Sequence, residues 1–299
     1  MKLKLGIVIL NYNDYKTTLD LINRIKYYNE IDNIVIVDNK STNNSLEMLK
    51  KANDNTWHLI ASSENKGYAS GNNIGIKYLI DNFNVDIIGI VNPDIIFSNE
   101  FICEIKKSFE KYYEEYALIT GLQLKPDGSI SKRAFWKELN FKRLLISNSM
   151  IFSKFDDIFN NYIEKKINEN KEIINVPVVE GCCFFINAND MKKINFFDES
   201  TFLFCEEDIL AKKLKKLNRK IGINKEITFI HNHSTTIKKV FSQIRVSKLI
   251  LKSKEYLLNK YITDNIVAKF LFKISSFLCI LEILFLVYPY EKIKNIRRR

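Results

Sequence analysis

The stretch Asp86–Asp94, DIIGIVNPD, decides the architecture. Ile87–Val91 form a run with no polar residue, too short for an amphipathic helix and without the alternation of a half-exposed strand. It reads as a strand buried on both faces. The run stops at Asn92, Pro93 and Asp94, where polar and turn-forming residues mark a strand end.

The same pattern recurs on the N-terminal side. LGIVIL (5–10), NIVIVD (33–38) and WHLIAS (57–62) alternate with the helical patterns YKTTLDLINRIKYY, SLEMLKKA and GNNIGIKYLIDNF. Buried strands separated by amphipathic helices predict a Rossmann-like α/β layer with a mostly parallel sheet. Polar residues gather where the strands end: Asn11 and Asn13, then Asp38, then Asn92 and Asp94. In open α/β sheets ligands bind beyond the carboxyl ends of the strands, so these residues predict one crevice.

From about Leu118 the character changes. Ala117–Trp136 reads as a hairpin turning at Asp127–Gly128, and Ile173–Ile194 reads as further strand followed by a helix start. Between them, 140–172 is aromatic, charged and aperiodic, which predicts a mobile insertion able to cover a ligand. The segment FLFKISSFLCILEILFLVYPYEKIKNIRRR (270–299) is apolar but interrupted by Lys273 and Glu282, and it falls short of a transmembrane span. Its apolar face and basic tail suit a helix lying in the interface of an anionic bilayer, through 265–299. A terminal helix docked on the domain, or a contact in a homo-oligomer, is the alternative.

The chain has 299 residues, 46% hydrophobic and 27% charged, as a folded protein has. A net charge of +11 points to an anionic partner: nucleic acid, a phosphate-bearing small molecule or a membrane. No recognised nucleic-acid-binding module is present, so nucleic acid is excluded as the partner. Five cysteines without CxxC pairing or zinc-like spacing read as reduced thiols of a cytosolic protein. The apolar run after Met1 reads as a first strand, not a signal peptide.

Four motifs carry chemistry. Asp94 of NPD would project into the crevice, where a hard divalent cation could bridge it to a diphosphate. ENKGYASGNNIG (64–75) is glycine-rich and opens a helix, which suits either close approach to an anion or a tight strand-to-helix connection. FIHNHS places His231 and His233 on one face of an extended segment, as metal or diphosphate contacts or as surface histidines. FLFCEEDILAKKLKKL (202–217) puts Glu206, Glu207 and Asp208 at the start of an amphipathic helix, where acids favour the helix dipole.

Taken in order, VILNYN, IVIVDNKST, ENKGYASGNN, VNPD, EGCCFFI, FFDESTFLFCEED and HNHS resemble a family 2 glycosyltransferase of the GT-A fold. The likeness is to the branch of bacterial rhamnosyltransferases and of capsule and O-antigen transferases, and it runs to about residue 240. It implies a transferase domain at 1–240, with a nucleotide-binding half (1–117) and an acceptor-binding half (118–240), followed by a helical extension at 241–299. The implied activity is inverting transfer of a sugar from a nucleotide diphosphate donor, dTDP-rhamnose or a UDP-sugar, with Mg²⁺ or Mn²⁺. The implied acceptor is a cell-surface or lipid-linked glycan, reached from the cytoplasmic face of a bacterial plasma membrane.

By the same resemblance Leu10, Asn11 and Tyr12 line the nucleoside pocket, and Asp38 hydrogen-bonds the base edge. Asn65, Lys66, Gly67 and Asn72 line the donor cleft. Asp94 stands for the last acid of the family's metal motif, with Asn92 in place of the first; His231, or else His233, matches the histidine near the metal. Gly181 allows the backbone to approach sugar or acceptor closely. An ungapped alignment on Leu210 makes Glu207 the general base, a shift of one makes it Asp208, and Glu206 or a purely capping role remains. Two other classes compete: a sugar nucleotidyltransferase, which would carry a basic glycine-rich loop after the first strand, and a nucleotide-sugar-binding protein without turnover.

Overall fold

A computed structural model describes residues 2–149, 162–232 and 243–287. Its N-terminal part alternates as the sequence predicts: β1 (Leu5–Asn11), α1 (Tyr15–Ile25), β2 (Asn33–Asp38), α2 (Ser45–Ala52), β3 (His58–Ala61), α3 (Tyr68–Phe83) and β4 (Ile87–Val91). Strands β3, β2, β1 and β4 run parallel in that order. Val8 of β1 joins a core with Ile76 and Leu79 of α3, whereas Ile7 and Ile9 join the opposite core with Leu21 and Ile22 of α1. The same division sends Ile88 and Ile90 to one face and Ile87 and Val91 to the other, which is why that run has no polar position.

The chain continues through β5 (Ile95–Ile96), α4 (Asn99–Tyr112), β6 (Tyr116–Leu124), β7 (Phe135–Trp136), α5 (Phe141–Asn148), α6 (Tyr162–Ile167), β8 (Ile173–Asn175), β9 (Val178–Val179), β10 (Cys183–Asn187), α7 (Ala188–Lys193), α8 (Glu206–Lys216) and β11 (Lys220–His231). The sheet order is β3-β2-β1-β4-β10-β6-β11-β5, with β8 on β11. Strand β10 runs antiparallel to β4 and pairs Cys183 with Val91, so the start of β10 meets the end of β4. Strand β11 ends beside them, with His231 opposite Ile95. This is the mixed α/β sheet of a GT-A fold, and its topology brings three strand ends to one edge.

Two expectations need correction. The turn at Asp127–Gly128 forms, with Gly128 at φ 81°, but only a single bridge, Leu124 to Ile130, follows it. The return stretch Ser129–Arg133 is polar and gives a strand no apolar face, so Phe135 and Trp136 pair with Val179 and Val178 instead. The stretch 140–172 is not uniformly irregular: it carries α5 and α6. Asn140 caps α5 by accepting from the Arg143 N–H, and the fully buried Leu144 packs with Cys205, Ile209 and Phe272. One turn-spaced apolar contact is too little to show as a period.

The C-terminal part forms α9 (Gln243–Leu257), a π-helical turn (Leu258–Ile262), α10 (Ile266–Glu282) and a second π turn (Ile283–Val287). It docks on the preceding fold through Asp198. Tyr256, Lys260 and Tyr261 all donate to Asp198 Oδ2, at 2.8, 2.9 and 2.6 Å. Burial opposes the charge on Asp198, but these donors outweigh it and hold the carboxyl well below its usual range. Asp198 also caps a local turn by accepting from the Ser200 N–H at 3.0 Å. All five cysteines are free thiols. No helix among the described residues is long and apolar enough to cross a membrane.

Candidate active site

The converging strand ends open into a cleft of about 1210 Å³. Leu10, Tyr12 and Asp14 line one side, Asn92–Asp94 and Glu180–Cys182 the floor, and Leu203–Asp208 the far wall. Ser131–Arg133, Trp136 and three residues of α6 complete the rim.

His231 closes the floor. Its Nε2 lies 3.4 Å from Asp94 Oδ1, and its Nδ1 lies 3.6 Å from Glu180 Oε2 and 3.2 Å from Gln123 Nε2. Burial disfavours the imidazolium, yet Asp94 and Glu180 more than compensate and raise its pKa to about 9. Glu180, Cys182 and His231 can each offer a ligand atom within 4.8 Å of one another. The carboxylates of Asp94 and Glu180, both within 3.6 Å of His231, are the oxygen donors that Mn²⁺ and Mg²⁺ take, so the corner fits a hard divalent cation. The Cys182 thiol contributes less, because burial pushes its pKa well up and keeps it protonated. The Asn92 N–H donates to the Cys182 carbonyl at 2.8 Å, fixing the NPD turn against the EGCC turn. His233 and the hydroxyl and lysine residues after it lie outside the described residues.

The acidic trio stands beside this corner, at the start of α8. The chain enters this helix through two consecutive left-handed residues, Phe204 at φ 77° and Cys205 at φ 66°. That conformation is costly for side chains of this size, and it aims the first turn of α8 at the floor of the cleft. Glu206 and Asp208 are only 5% and 4% exposed, and Oε1 of Glu206 is buried without a hydrogen-bond partner. Glu207 accepts at Oε1 from the Gly181 N–H at 3.1 Å. Asp208 accepts from Trp136 Nε1 at 3.3 Å.

Burial raises all three carboxyls, and crowding of like charge adds to it for Glu206 and Glu207. Asp208 reaches only about 6, because burial is partly offset by the Trp136 and Leu139 N–H groups. The dipole of α8 therefore does not account for three acids here: it favours ionisation, and desolvation wins.

Gly181 makes room for Glu207. A Cβ at position 181 would lie 2.7 Å from Glu207 Oε1, so the close approach expected of this glycine is to a side chain of the protein. Tyr68, at the start of α3, donates its hydroxyl to the Gly181 carbonyl. Tyr68, Trp136, Gln123 and Glu180 were not singled out by the sequence reading. Only Glu180 carried a signal, as an acid beside Gly181 in EGCC.

The residues expected on the nucleoside side divide into two groups. Leu10 and Tyr12 line the cleft. Asn11 and Asp38 are 0% and 1% exposed and bond to each other at 2.7 Å, while Ser41 donates both its N–H and its hydroxyl to Asp38. Asp38 therefore orders the loop behind the pocket, with both its oxygens engaged. Asn65 accepts from Asn39 and from the Gly67 N–H, the exposed Lys66 pairs with Glu64, and the Asn72 amide donates to the Tyr68 carbonyl. None of Asn65, Lys66, Gly67 and Asn72 lines the cleft.

Gly67 has φ 101°, and a Cβ there would meet the Phe202 carbonyl at 1.9 Å. That carbonyl accepts the Tyr68 N–H at 3.0 Å. Here the glycine-rich stretch is a tight connection packed on the 202–205 loop, and this first N–H of α3 is not presented to an anion.

Comparison with known proteins bears on the family and the fold. Residues 6–194 match the family model Glycosyl transferase family 2. The low-salt glycan biosynthesis hexosyltransferase Agl10 of Haloferax volcanii is 25% identical over 228 residues, which are 76% of this chain and 67% of that protein. Among solved structures, S. aureus TarS 1–349 in complex with UDP-GlcNAc matches with a TM-score of 0.54 at 12% identity, over 95% of this chain and 73% of that one. The mannosyltransferase PcManGT of Pyrobaculum calidifontis, in complex with GDP-Man and Mn²⁺, matches with a TM-score of 0.59 at 10% identity, over 93% and 70%. At such identities the two structures speak for the fold.

Proposed function

The chain belongs to glycosyl transferase family 2, and from that premise we propose that it moves a hexosyl group from a nucleoside diphosphate donor to a hydroxyl of a glycan or lipid-linked glycan, with inversion. We place the transferase domain at 1–240, its nucleotide half at 1–117 and its acceptor half at 118–240. The observation that carries the reading is the hydrogen bond from Gly181 to Glu207. It ties a carboxylate of the acidic wall to the turn whose other residues, Glu180 and Cys182, belong to the cation corner.

In this reading Leu10 and Tyr12 border the nucleoside, and Asp38 acts from behind through the Asn11 and Ser41 contacts. Asp94 and Glu180 would hold a divalent cation, with His231 joining them on giving up its proton, and the ion would supply charge neutralisation to the departing diphosphate. Glu207 takes the proton of the acceptor hydroxyl as that oxygen attacks the anomeric carbon from the face opposite the diphosphate. A raised carboxyl pKa suits this role, since a base works best with a pKa near the working pH. Asp208 is committed to Trp136 and serves as the orienting neighbour.

The donor class rests on relatives: TarS and PcManGT are described with UDP-GlcNAc and GDP-Man, and Agl10 as a hexosyltransferase. They favour a nucleoside diphosphate hexose over dTDP-rhamnose. Family membership also weighs against a sugar nucleotidyltransferase, and the set of acids around the cleft weighs against a binding protein without turnover.

The test is a panel of UDP-, GDP- and dTDP-sugars, assayed for thermal stabilisation and slow donor hydrolysis with and without Mn²⁺. A shift with one nucleotide class and Mn²⁺ supports the reading; no response to any nucleotide would overturn it.

A further inference from the structure

Helix α10 is two-sided. Ala268, Phe272 and Cys279 are buried, and Phe272 packs with Cys205 and Ile209 beside the acidic trio. The other side leaves Ile266 82%, Val267 65%, Phe270 62%, Phe277 61% and Leu278 53% exposed, with Leu271 and Ile274 at 42%. Leu284 and Phe285 in the π turn continue the row, at 42% and 72%. At 100° per residue these positions form one contiguous stripe. A soluble monomer seldom leaves so large an apolar patch in water.

The charges beside the stripe say what covers it. Lys269, which pairs with the exposed Asp264 at 3.5 Å, and the exposed Lys273 lie one turn apart along one edge, and α9 adds the exposed Lys248 and Lys252 to the same helical pair. On α10 itself Glu282 is the single acid, and it accepts from Ser149. The sequence directly after the stripe, outside the described residues, adds Lys292, Lys294 and Arg297–Arg299 against Glu291. An apolar row bordered by cations matches acyl chains beneath anionic headgroups. A second copy would bring the same cations against each other.

We propose that the exposed face of α10 is a docking surface for an anionic lipid bilayer, with the helix lying in the interface plane and not spanning it. Because its opposite face packs on Cys205 and Ile209, docking holds the start of α8 about one helix diameter, roughly 10 Å, from the membrane surface.

The test uses the full chain, vesicles and no sugar donor, so it is independent of the transferase reading. Cosedimentation is measured with equimolar phosphatidylglycerol–phosphatidylcholine vesicles and with phosphatidylcholine alone, for wild type and for Phe270→Glu/Phe277→Glu. Both phenylalanines are mostly in water, so the variant keeps its melting temperature. The expected result is binding to the anionic vesicles, weakened at least tenfold without phosphatidylglycerol and about 100-fold or more by the double substitution. Equal binding of the variant overturns the proposal, as does indifference to lipid charge. A wild-type protein that ignores both vesicles and sediments as a dimer that the double substitution splits also overturns it and assigns the face to a second copy.

Discussion

Glu207 Oε1 and the backbone nitrogen of Gly181 lie 3.1 Å apart, in space that exists only because residue 181 has no side chain. Gly181→Ala places a methyl group 2.7 Å from that oxygen and 3.1 Å from Glu207 Cγ. The carboxylate must swing away, while Gly181 itself is not in a left-handed conformation that alanine would resent. We expect kcat to fall by about 10–100-fold with donor affinity unchanged, since a small displacement of a reacting group is costly. Steady-state kinetics beside isothermal titration of the donor would check the split.

Glu207→Gln keeps shape and the Gly181 contact but cannot accept a proton. Loss of a general base costs about 10²–10⁴-fold in rate. Donor hydrolysis by water and transfer to acceptor should both drop, with the donor Kd preserved. Asp208→Asn, which retains an oxygen for Trp136, should cost far less. The reverse ranking would move the base to Asp208.

Asp94→Ala removes the carboxylate beside His231 Nε2. Donor binding measured in Mn²⁺ should weaken by about tenfold or more, as expected when one hard ligand of a cation site is lost. Binding of the nucleoside without phosphates should not change. An unchanged donor affinity in Mn²⁺ would remove Asp94 from the diphosphate site.

The acidic trio makes stability depend on pH in an unusual sense. Burial, and then repulsion from Glu207, raise the Glu206 pKa above its unfolded value, so between the two values the folded chain binds more protons than the unfolded one. Stability is therefore greatest below the unfolded carboxyl pKa and declines as pH rises through the raised one. Glu206→Gln should remove that decline: stability above wild type at pH above neutrality, by on the order of 1–2 kcal/mol and visible as a higher Tm, and no difference near pH 4. Thermal melts across pH would show it, and parallel curves would refute it.

Asp198→Asn weakens the three donations that dock the C-terminal helices. A loss of about 2–3 kcal/mol is expected for a buried carboxylate bonded to several donors. Proteolysis should then begin within 243–287 while the sheet stays protected.

The sheet was legible because its signal is local. Buried runs such as IVIV and IIGIV have no polar position, and the helices between them carry one apolar face. The cleft was legible in outline, since polar residues at strand ends must converge in such a sheet. What escaped was pairing at a distance. Gly181 and Glu207 are 26 residues apart, Tyr68 and Gly181 are 113 apart, and only the folded chain brings them together. Asp38 and Asn72 illustrate a second limit: residue type and position could not say whether a polar side chain faces ligand or backbone. The inner face of α10 was hidden because Phe272 and Cys279 look no different in sequence from Phe270 and Phe277.

The Phe202 carbonyl, seated against Gly67 and bonded to the Tyr68 N–H, bears on how such enzymes can be recombined. One atom of the loop leading to the acids fills the space a side chain at position 67 would need. A chimera that exchanges the 196–205 loop to change acceptor choice must carry a glycine at 67 with it. Segments more than a hundred residues apart thus form one transplantable part, and a graft that separates them would fail before its chemistry could be assayed.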